Sequence, residues 1–377
     1  METFAELGIS ARSLAALQRD SIIEPVPVQA EALPALLDGD DVVIEAPTGS
    51  GKTLAFLLPL VEYIGEHGPG PRALVVTPTR ELAGQIDKVY RGLDCPARCA
   101  LLYGGVGYAT QTLALAAGAD VVIGTPGRIL DMIGRKLLSL NRVEYLVLDE
   151  ADEMLDAGFA PDVERIIQQT YQPQTVLASA TMPDWVSKMI GKHLQNPIRV
   201  RVEAPEESLL EHGLLRVGEG NKLNALSRLL YQHKGAAIVF GRTKHGVRKL
   251  SRDLRRMGHR PVELQGDLSQ VERDRALESF RQRRSDVLVA TNVAARGLDI
   301  SHVELVVNFE LPETPQWLTH RVGRTARMGN TGRALTLIGP EDERAWRRLL
   351  QQGAPELPQL DAQHLLNEGG WRYATAN

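Results

Sequence analysis

The chain has 377 residues, 43% apolar and 24% charged, more than one ordinary domain needs and too apolar for an extended disordered protein. No basic segment leads into an apolar stretch at its start and no apolar run approaches bilayer length, so secretion and membrane insertion are not expected and a cytoplasmic location is. The net charge of −4 divides unevenly, with 17 Lys+Arg against 26 Asp+Glu in residues 1–203 (−9) and 26 against 21 in residues 204–377 (+5); a basic half suits a phosphate backbone and, equally, an Arg-rich solvated surface.

In the first half, short β-branched runs at 41–45, 73–77, 120–124, 144–148 and 175–178 read as buried parallel strands. Most lead into a Gly, Pro or Ser/Thr-rich turn and then a stretch with helical spacing, the βαβ signature of a doubly wound α/β sheet. The two cysteines, Cys95 and Cys99, lack the second ligand pair of a zinc site and read as ordinary thiols. Residues 202–207 are polar, contain Pro205 and follow neither pattern, so 204–207 is the expected linker between a first domain at 1–203 and a second at 208–340. The second domain repeats the plan with runs at 236–240, 260–264, 286–290, 304–308 and 334–338. Residues 340–352 then read as an amphipathic helix and 353–377 as a Pro/Gly-punctuated segment anchored by Trp371. The region 341–377 is therefore expected to be a packed helix and tail rather than a third domain.

Two local patterns carry chemistry. Ala46-Pro-Thr-Gly-Ser-Gly-Lys-Thr53 follows the first strand and opens a helix, as a phosphate-binding loop requires. Backbone N–H groups across Thr48, Gly49, Ser50 and Gly51 would cradle phosphate oxygens, Lys52 would neutralise the β- and γ-phosphates, and the Thr53 hydroxyl would hold Mg²⁺. A glycine-rich turn that binds nothing is the plainer alternative. The second pattern, Asp149-Glu-Ala-Asp152, ends the apolar run closing at Leu148 and so projects from the carboxyl edge of the sheet, where ligands bind. Asp149 would take Mg²⁺ directly or through water, and Glu150 would orient or deprotonate an attacking water. An acidic helix start complementing the helix dipole is the simpler reading of that turn taken alone.

Further motifs follow in a fixed order. They are Phe4 upstream of Pro25-Val-Pro-Val-Gln29, Pro78-Thr-Arg-Glu-Leu-Ala83, Gly104-Gly105, Thr125-Pro-Gly-Arg128 and Ser179-Ala-Thr181 in the first half. The second half has Val239-Phe-Gly-Arg-Thr243, Gln270-Val-Glu-Arg273, Ala290-Thr-Asn-Val-Ala-Ala-Arg-Gly-Leu-Asp299 and His320-Arg-Val-Gly-Arg-Thr-Ala-Arg327. Over nearly its whole length the chain resembles the DEAD-box RNA helicases. The resemblance implies two tandem RecA-like doubly wound parallel-sheet domains, a monomeric core, ATP and Mg²⁺ as cofactors and RNA as partner. The implied activity is RNA-stimulated ATP hydrolysis coupled to local strand separation.

The resemblance also implies residue roles. Gln29 bonds the adenine edge and Phe4 stacks on it; an amide that both donates and accepts matches adenine's N6 and N7. Gly297 and Asp299 belong to the nucleotide site, Asp299 at the ribose. Arg80, Gly105, Thr125 and Arg128, with Arg242, Thr243, Arg273 and Thr291 from the second domain, correspond to positions on the RNA backbone, which favours weak sequence preference and reading of 2′-hydroxyls. Arg324 and Arg327 correspond to arginine fingers for the triphosphate, and Ser179, Thr181 and His320 link domain closure to RNA. Three positions depart from the family pattern: Asn292 replaces the usual aspartate, Ala326 the usual glycine and Gln265 a common histidine. The amide at Asn292 is expected to loosen a salt bridge in the loop that senses RNA. A non-unwinding RNA clamp that uses ATP as a latch is the rival reading, and the complete motif set disfavours a DNA translocase.

Overall fold

The computed structural model describes residues 2–65, 68, 70–202, 210–295, 300, 302–326, 331–368 and 371. The chain divides into two compact units, Met1–Glu206 and Glu207–Asn377. The expected linker at 204–207 lies outside the described residues.

The first unit is built on seven parallel strands: β1 (Val42–Glu45), β2 (Ala73–Val76), β3 (Cys99–Leu102), β4 (Val121–Gly124), β5 (Tyr145–Asp149), β6 (Gln174–Ser179) and β7 (Ile198–Arg201). Their order across the sheet is β3-β4-β2-β5-β6-β1-β7. Successive side chains point to opposite faces, and both faces are apolar. Ala73, Val75, Tyr145 and Val147 enter one core, while Leu74, Val76, Leu146 and Leu148 enter the other. The five expected strands are the interior ones. The two that sequence reasoning missed, β3 and β7, are the edges. There one-sided cover breaks the apolar run: β7 buries only Val200, and β3 buries only Ala100 and Leu102.

The second unit repeats the architecture with β8 (Leu210–Arg216), β9 (Ala236–Gly241), β10 (Pro261–Leu264), β11 (Val287–Thr291), β12 (Val303–Asn308) and β13 (Gly332–Ile338). The strands are parallel in the order β10-β11-β9-β12-β13-β8. Again the unexpected strand, β8, is an edge. A 3₁₀ turn and the helix Glu343–Gln351 follow β13, after which the chain runs beside β8. Leu214 N donates to Pro358 O at 2.9 Å and Leu360 N to Leu214 O at 2.8 Å, so the tail covers an otherwise open edge. Leu360, Leu365 and Trp371 then join the core around Leu215 and Leu226. Among the described residues no helix is long and apolar enough to cross a membrane.

Beyond the helix Pro315–Val322, Ala326 adopts φ +54°, a left-handed backbone in which its Cβ crowds the following carbonyl. This gives a physical reason for glycine at that position. Ala326→Gly should stabilise the protein by about 1 kcal/mol, net of the extra freedom glycine gains on unfolding. Chemical denaturation monitored by circular dichroism measures this, and an unchanged or lowered midpoint would contradict it.

Candidate active site

The helix Lys52–Ile64 starts directly after β1, with Gly51 at its N-cap in the left-handed region, φ +98°. Glycine is required there, because a Cβ would lie 2.7 Å from Val26 Cγ2 and 2.8 Å from Gln29 Nε2. No side chain caps this helix start, and an uncapped helix N-terminus suits an anion. The Ser50 hydroxyl is buried with no hydrogen-bond partner among the described residues. Lys52 folds back over the loop, its Nζ donating to Ala46 O at 2.5 Å and Pro47 O at 2.8 Å.

Gln29 is brought to this loop. Its Oε1 accepts from Val26 N at 3.0 Å and its Nε2 donates to Gly51 O at 3.1 Å, leaving one lone pair and one N–H for a ligand. The expected stacking face on Phe4 is not found: the residue is 1% exposed and its ring packs inside the core. Val26, whose N–H donates to Gln29 Oε1, is 40% exposed and offers apolar surface beside it.

β5 ends at Asp149, and Glu150 turns the chain into the helix Ala151–Asp156 from a left-handed conformation, φ +51° and ψ +54°. Such a backbone costs a non-glycine residue about 1–2 kcal/mol, a strain characteristic of functional turns. The side chains of Asp149, Glu150, Asp152 and Glu153 are all buried. Burial pushes the Asp149 carboxyl up to about 6, against the pull of Lys52 and the Glu150 N–H; Asp152 and Glu153 add to the rise.

Asp152 was quoted as part of the acidic motif, but sequence reasoning gave it no role. Its Oδ2 accepts from Thr181 N at 2.9 Å and Thr181 Oγ1 at 2.7 Å, and its own N–H donates to Ser179 Oγ at 3.2 Å. Ser179 Oγ in turn donates to Thr181 O at 2.7 Å. Ser179 and Thr181 therefore converge on the acidic turn through one closed set of hydrogen bonds.

Of the expected RNA contacts in the first unit, Arg80 opens the helix Arg80–Gly92 and lies against Gly105, where a Cβ would come 2.4 Å from Arg80 Nη1. Thr125 is the N-cap of the helix Pro126–Gly134. Arg128 requires a correction. It is 8% exposed, donating from Nη1 to Gln111 Oε1 and from Nη2 to Val106 O, both at 3.1 Å, with Cζ 4.4 Å from the Tyr108 ring centroid. Its guanidinium shapes the 104–108 loop rather than facing outward.

In the second unit Arg242 is exposed, and its N–H donates to Glu310 Oε2 at 2.5 Å. Thr243 caps the helix Lys244–Arg256 by accepting from Gly246 N at 2.9 Å. Thr291 closes β11. Arg273 needs the same correction as Arg128, since it is 3% exposed and donates to Ala294 O at 3.3 Å and Gln265 O at 3.5 Å. Gln265 is buried and accepts from Asp267 N at 2.6 Å. His320 lies in the last turn of the helix Pro315–Val322, and the buried Arg324 donates from Nε to its carbonyl at 3.3 Å. Gly297, Asp299 and Arg327 lie outside the described residues. Sequence reasoning also missed Arg321, a buried guanidinium that donates from Nε to Asn292 Oδ1 at 2.5 Å. Asn292 thus meets a buried cation with a neutral oxygen.

Comparison with known proteins places this geometry. The family model for DEAD/DEAH box helicases matches residues 26–189, and that for the helicase conserved C-terminal domain matches residues 221–329. The ATP-dependent RNA helicase CshA of Listeria monocytogenes is 41% identical over 358 residues, which span 93% of this chain and 69% of that protein. The DEAD-box ATP-dependent RNA helicase CshA of Bacillus subtilis is 42% identical over 355 residues, 93% of this chain and 72% of that protein. Among solved structures, S. cerevisiae Dbp5 bound to RNA and ADP BeF3 matches with a TM-score of 0.86 at 30% identity, covering 97% of each chain. A DEAD box protein from Methanococcus jannaschii matches with a TM-score of 0.56 at 35% identity, covering 95% of this chain and 99% of that one. With its two parallel-sheet units of the RecA-like type, the chain belongs to the DEAD-box ATP-dependent RNA helicase family.

Proposed function

We propose that the first unit binds ATP with Mg²⁺ at the carboxyl edge of its sheet and hydrolyses it when RNA lies across both units, opening short duplex stretches. The observation that carries this reading is the meeting of an uncapped helix start, Lys52 and a buried acidic turn at one edge. Lys52 leaves the Ala46 and Pro47 carbonyls for the β- and γ-phosphates, and backbone N–H groups of Thr48, Gly49, Ser50 and Gly51 line the cradle. Gln29 reads adenine with its remaining lone pair and N–H, beside the exposed side chain of Val26.

The residues suit a divalent cation. Thr53 and Asp149 would hold it, and the raised pKa of Asp149 marks a carboxylate whose burial is undercompensated. Among the described residues no three His, Cys, Asp or Glu side chains form a metal cage, and phosphate oxygens of a bound nucleotide would supply further ligands beside Thr53 and Asp149. When bound, Mg²⁺ neutralises phosphate charge and fixes the phosphates in line. Glu150, aimed by its left-handed backbone, orients the attacking water and takes its proton. Arg324 and Arg327 act as cations at the γ-phosphoryl, while Gly297 and Asp299 contact the nucleotide sugar.

Arg80, Gly105 and Thr125 in the first unit and Arg242, Thr243 and Thr291 in the second form the RNA track, with Arg128 and Arg273 shaping its loops. Ser179, Thr181 and His320 couple the track to the hydrolytic turn. The protein acts in the cytoplasm, where ATP and RNA meet.

Glu150→Gln keeps the size of the side chain and removes its basicity, so RNA-stimulated turnover should fall about 10²–10⁴-fold while binding of a fluorescent ATP analogue persists. Near-normal hydrolysis would exclude Glu150 as the water-orienting group.

A second test follows from Asp149. Its folded-state pKa is raised, so ionisation opposes folding above about pH 6, and that opposition fades as pH falls toward the unfolded value near 4. Asp149→Asn should therefore stabilise the nucleotide-free protein at pH 8 by on the order of 1–3 kcal/mol, less whatever Lys52 loses, with the gain shrinking below pH 6. Thermal melts across pH 4.5–8.5, about half a unit apart, check this, and a destabilised variant at pH 8 would refute it.

A further inference from the structure

Arg321 is 2% exposed, and every hydrogen bond its guanidinium makes among the described residues goes to a neutral oxygen. Nε donates to Asn292 Oδ1 at 2.5 Å, and Nη1 donates to Asn308 Oδ1 at 3.1 Å and to the Glu310 carbonyl at 2.6 Å. Nη2 is buried with no acceptor among those residues. The group lies 5.1 Å from the Phe240 ring centroid. A buried cation is ordinarily matched by a hydrogen-bonded carboxylate. Burial pushes this one down to about 9, opposed only by the more distant pull of Glu310 and Glu313.

The three acceptors come from two segments, the end of β11 and the end of β12. Asn292 directly follows Thr291 at the end of β11. Asn308 ends β12 and is tied into the sheet through Nδ2 to Thr336 Oγ1 at 3.1 Å. Glu310 works in two directions, holding Arg321 through its carbonyl and, through its carboxylate, the Arg242 N–H of the turn after β9 at 2.5 Å. Arg321 itself sits on the helix of His320, which leads to Arg324. One buried guanidinium thus gathers the loops of Thr291 and Arg242 onto the arginine-bearing helix.

We propose that Asn292, Arg321 and Glu310 are positioning residues that hold the RNA-facing turns of the second unit to the helix of His320 and Arg324, with the amide at Asn292 keeping that tie weak. The proposal rests on the reading of Arg242, Thr243 and Thr291 as RNA contacts. A carboxylate at position 292 would make a charge-assisted bond roughly twice as strong as the neutral one. With the amide, the loop after β11 is held less firmly before RNA arrives, and part of the binding free energy goes into ordering it.

The test uses the full chain, a single-stranded oligoribonucleotide and three variants. Asn292→Asp should lower the RNA concentration for half-maximal ATPase stimulation about three- to tenfold, and Asn292→Ala should raise it about tenfold. Glu310→Gln leaves only a neutral acceptor for the Arg242 N–H and removes the charge that pulls on Arg321, so it should raise that concentration about three- to tenfold. Binding of a fluorescent ATP analogue without RNA should be unchanged in all three. If the Asn292 variants shift only the melting temperature and leave the RNA dependence at the parent value, the tie is purely structural and the proposal fails. A parent protein that does not respond to RNA would overturn the functional reading as well; a responsive parent with unresponsive variants overturns the tie alone.

Discussion

Four carboxyl groups buried within five consecutive positions, Asp149, Glu150, Asp152 and Glu153, are the constraint around which the first unit is organised. Removing an ionised carboxylate from water costs several kcal/mol unless hydrogen bonds or opposite charge offset it. Asp152 is fully engaged by Thr181 and the Glu153 N–H, whereas Asp149 has the Glu150 N–H and the field of Lys52. The strand order explains why these partners are at hand. β6 runs between β5 and β1, so Ser179 at its end stands between the acidic turn and the phosphate loop, and Ala46 N donates to Ser179 O at 3.1 Å. The incomplete compensation at Asp149 is what a ligand carrying a divalent cation would relieve, and it ties the stability of the nucleotide-free state to the chemistry of the site.

The second unit holds the opposite problem, a buried cation among neutral oxygens. Arg321 is the extreme case, and Arg273 also clamps loops through carbonyl acceptors; in the first unit Arg128 clamps its loop through carbonyl and amide acceptors with Asp131 3.8 Å away. Such arginines fix the shape of the loops they clamp. What meets the RNA backbone in this account is smaller: hydroxyls, backbone N–H groups at helix starts, and the less buried Arg80 and Arg242. Recognition of that kind reads the backbone and its 2′-hydroxyls more than the bases.

Much of this was legible in the sequence where one physical rule dominated. Interior parallel strands are covered on both faces, so β1, β2, β4, β5, β6, β9, β11, β12 and β13 appear as largely apolar runs, and the edge strand β10 was legible beside them through Val262 and Leu264. The edges β3, β7 and β8 did not, because one covered face leaves residues such as Arg199, Arg201 and Glu211 along the strand. Motifs likewise located the site but not the state of each atom. Residue type and spacing singled out Gln29, Lys52, Asp149 and Glu150, and the structure brings Gln29 to the phosphate loop and Lys52 within the field of Asp149. They could not reveal that the Phe4 ring is enclosed, that Arg128 and Arg273 are already engaged, or that Asp152 receives Thr181. Those outcomes depend on packing between segments far apart in the chain, for which a local pattern carries no signal.

The central claim is that hydrolysis at the acidic turn is gated by an RNA strand held through its backbone. The most direct measurement is steady-state ATP turnover by the purified chain with no nucleic acid, with a single-stranded RNA, and with DNA of the same sequence. The account predicts a low basal rate, a large rise with RNA that is largely independent of its sequence, and little rise with DNA. A basal rate that RNA leaves unchanged, or equal stimulation by DNA, would contradict it.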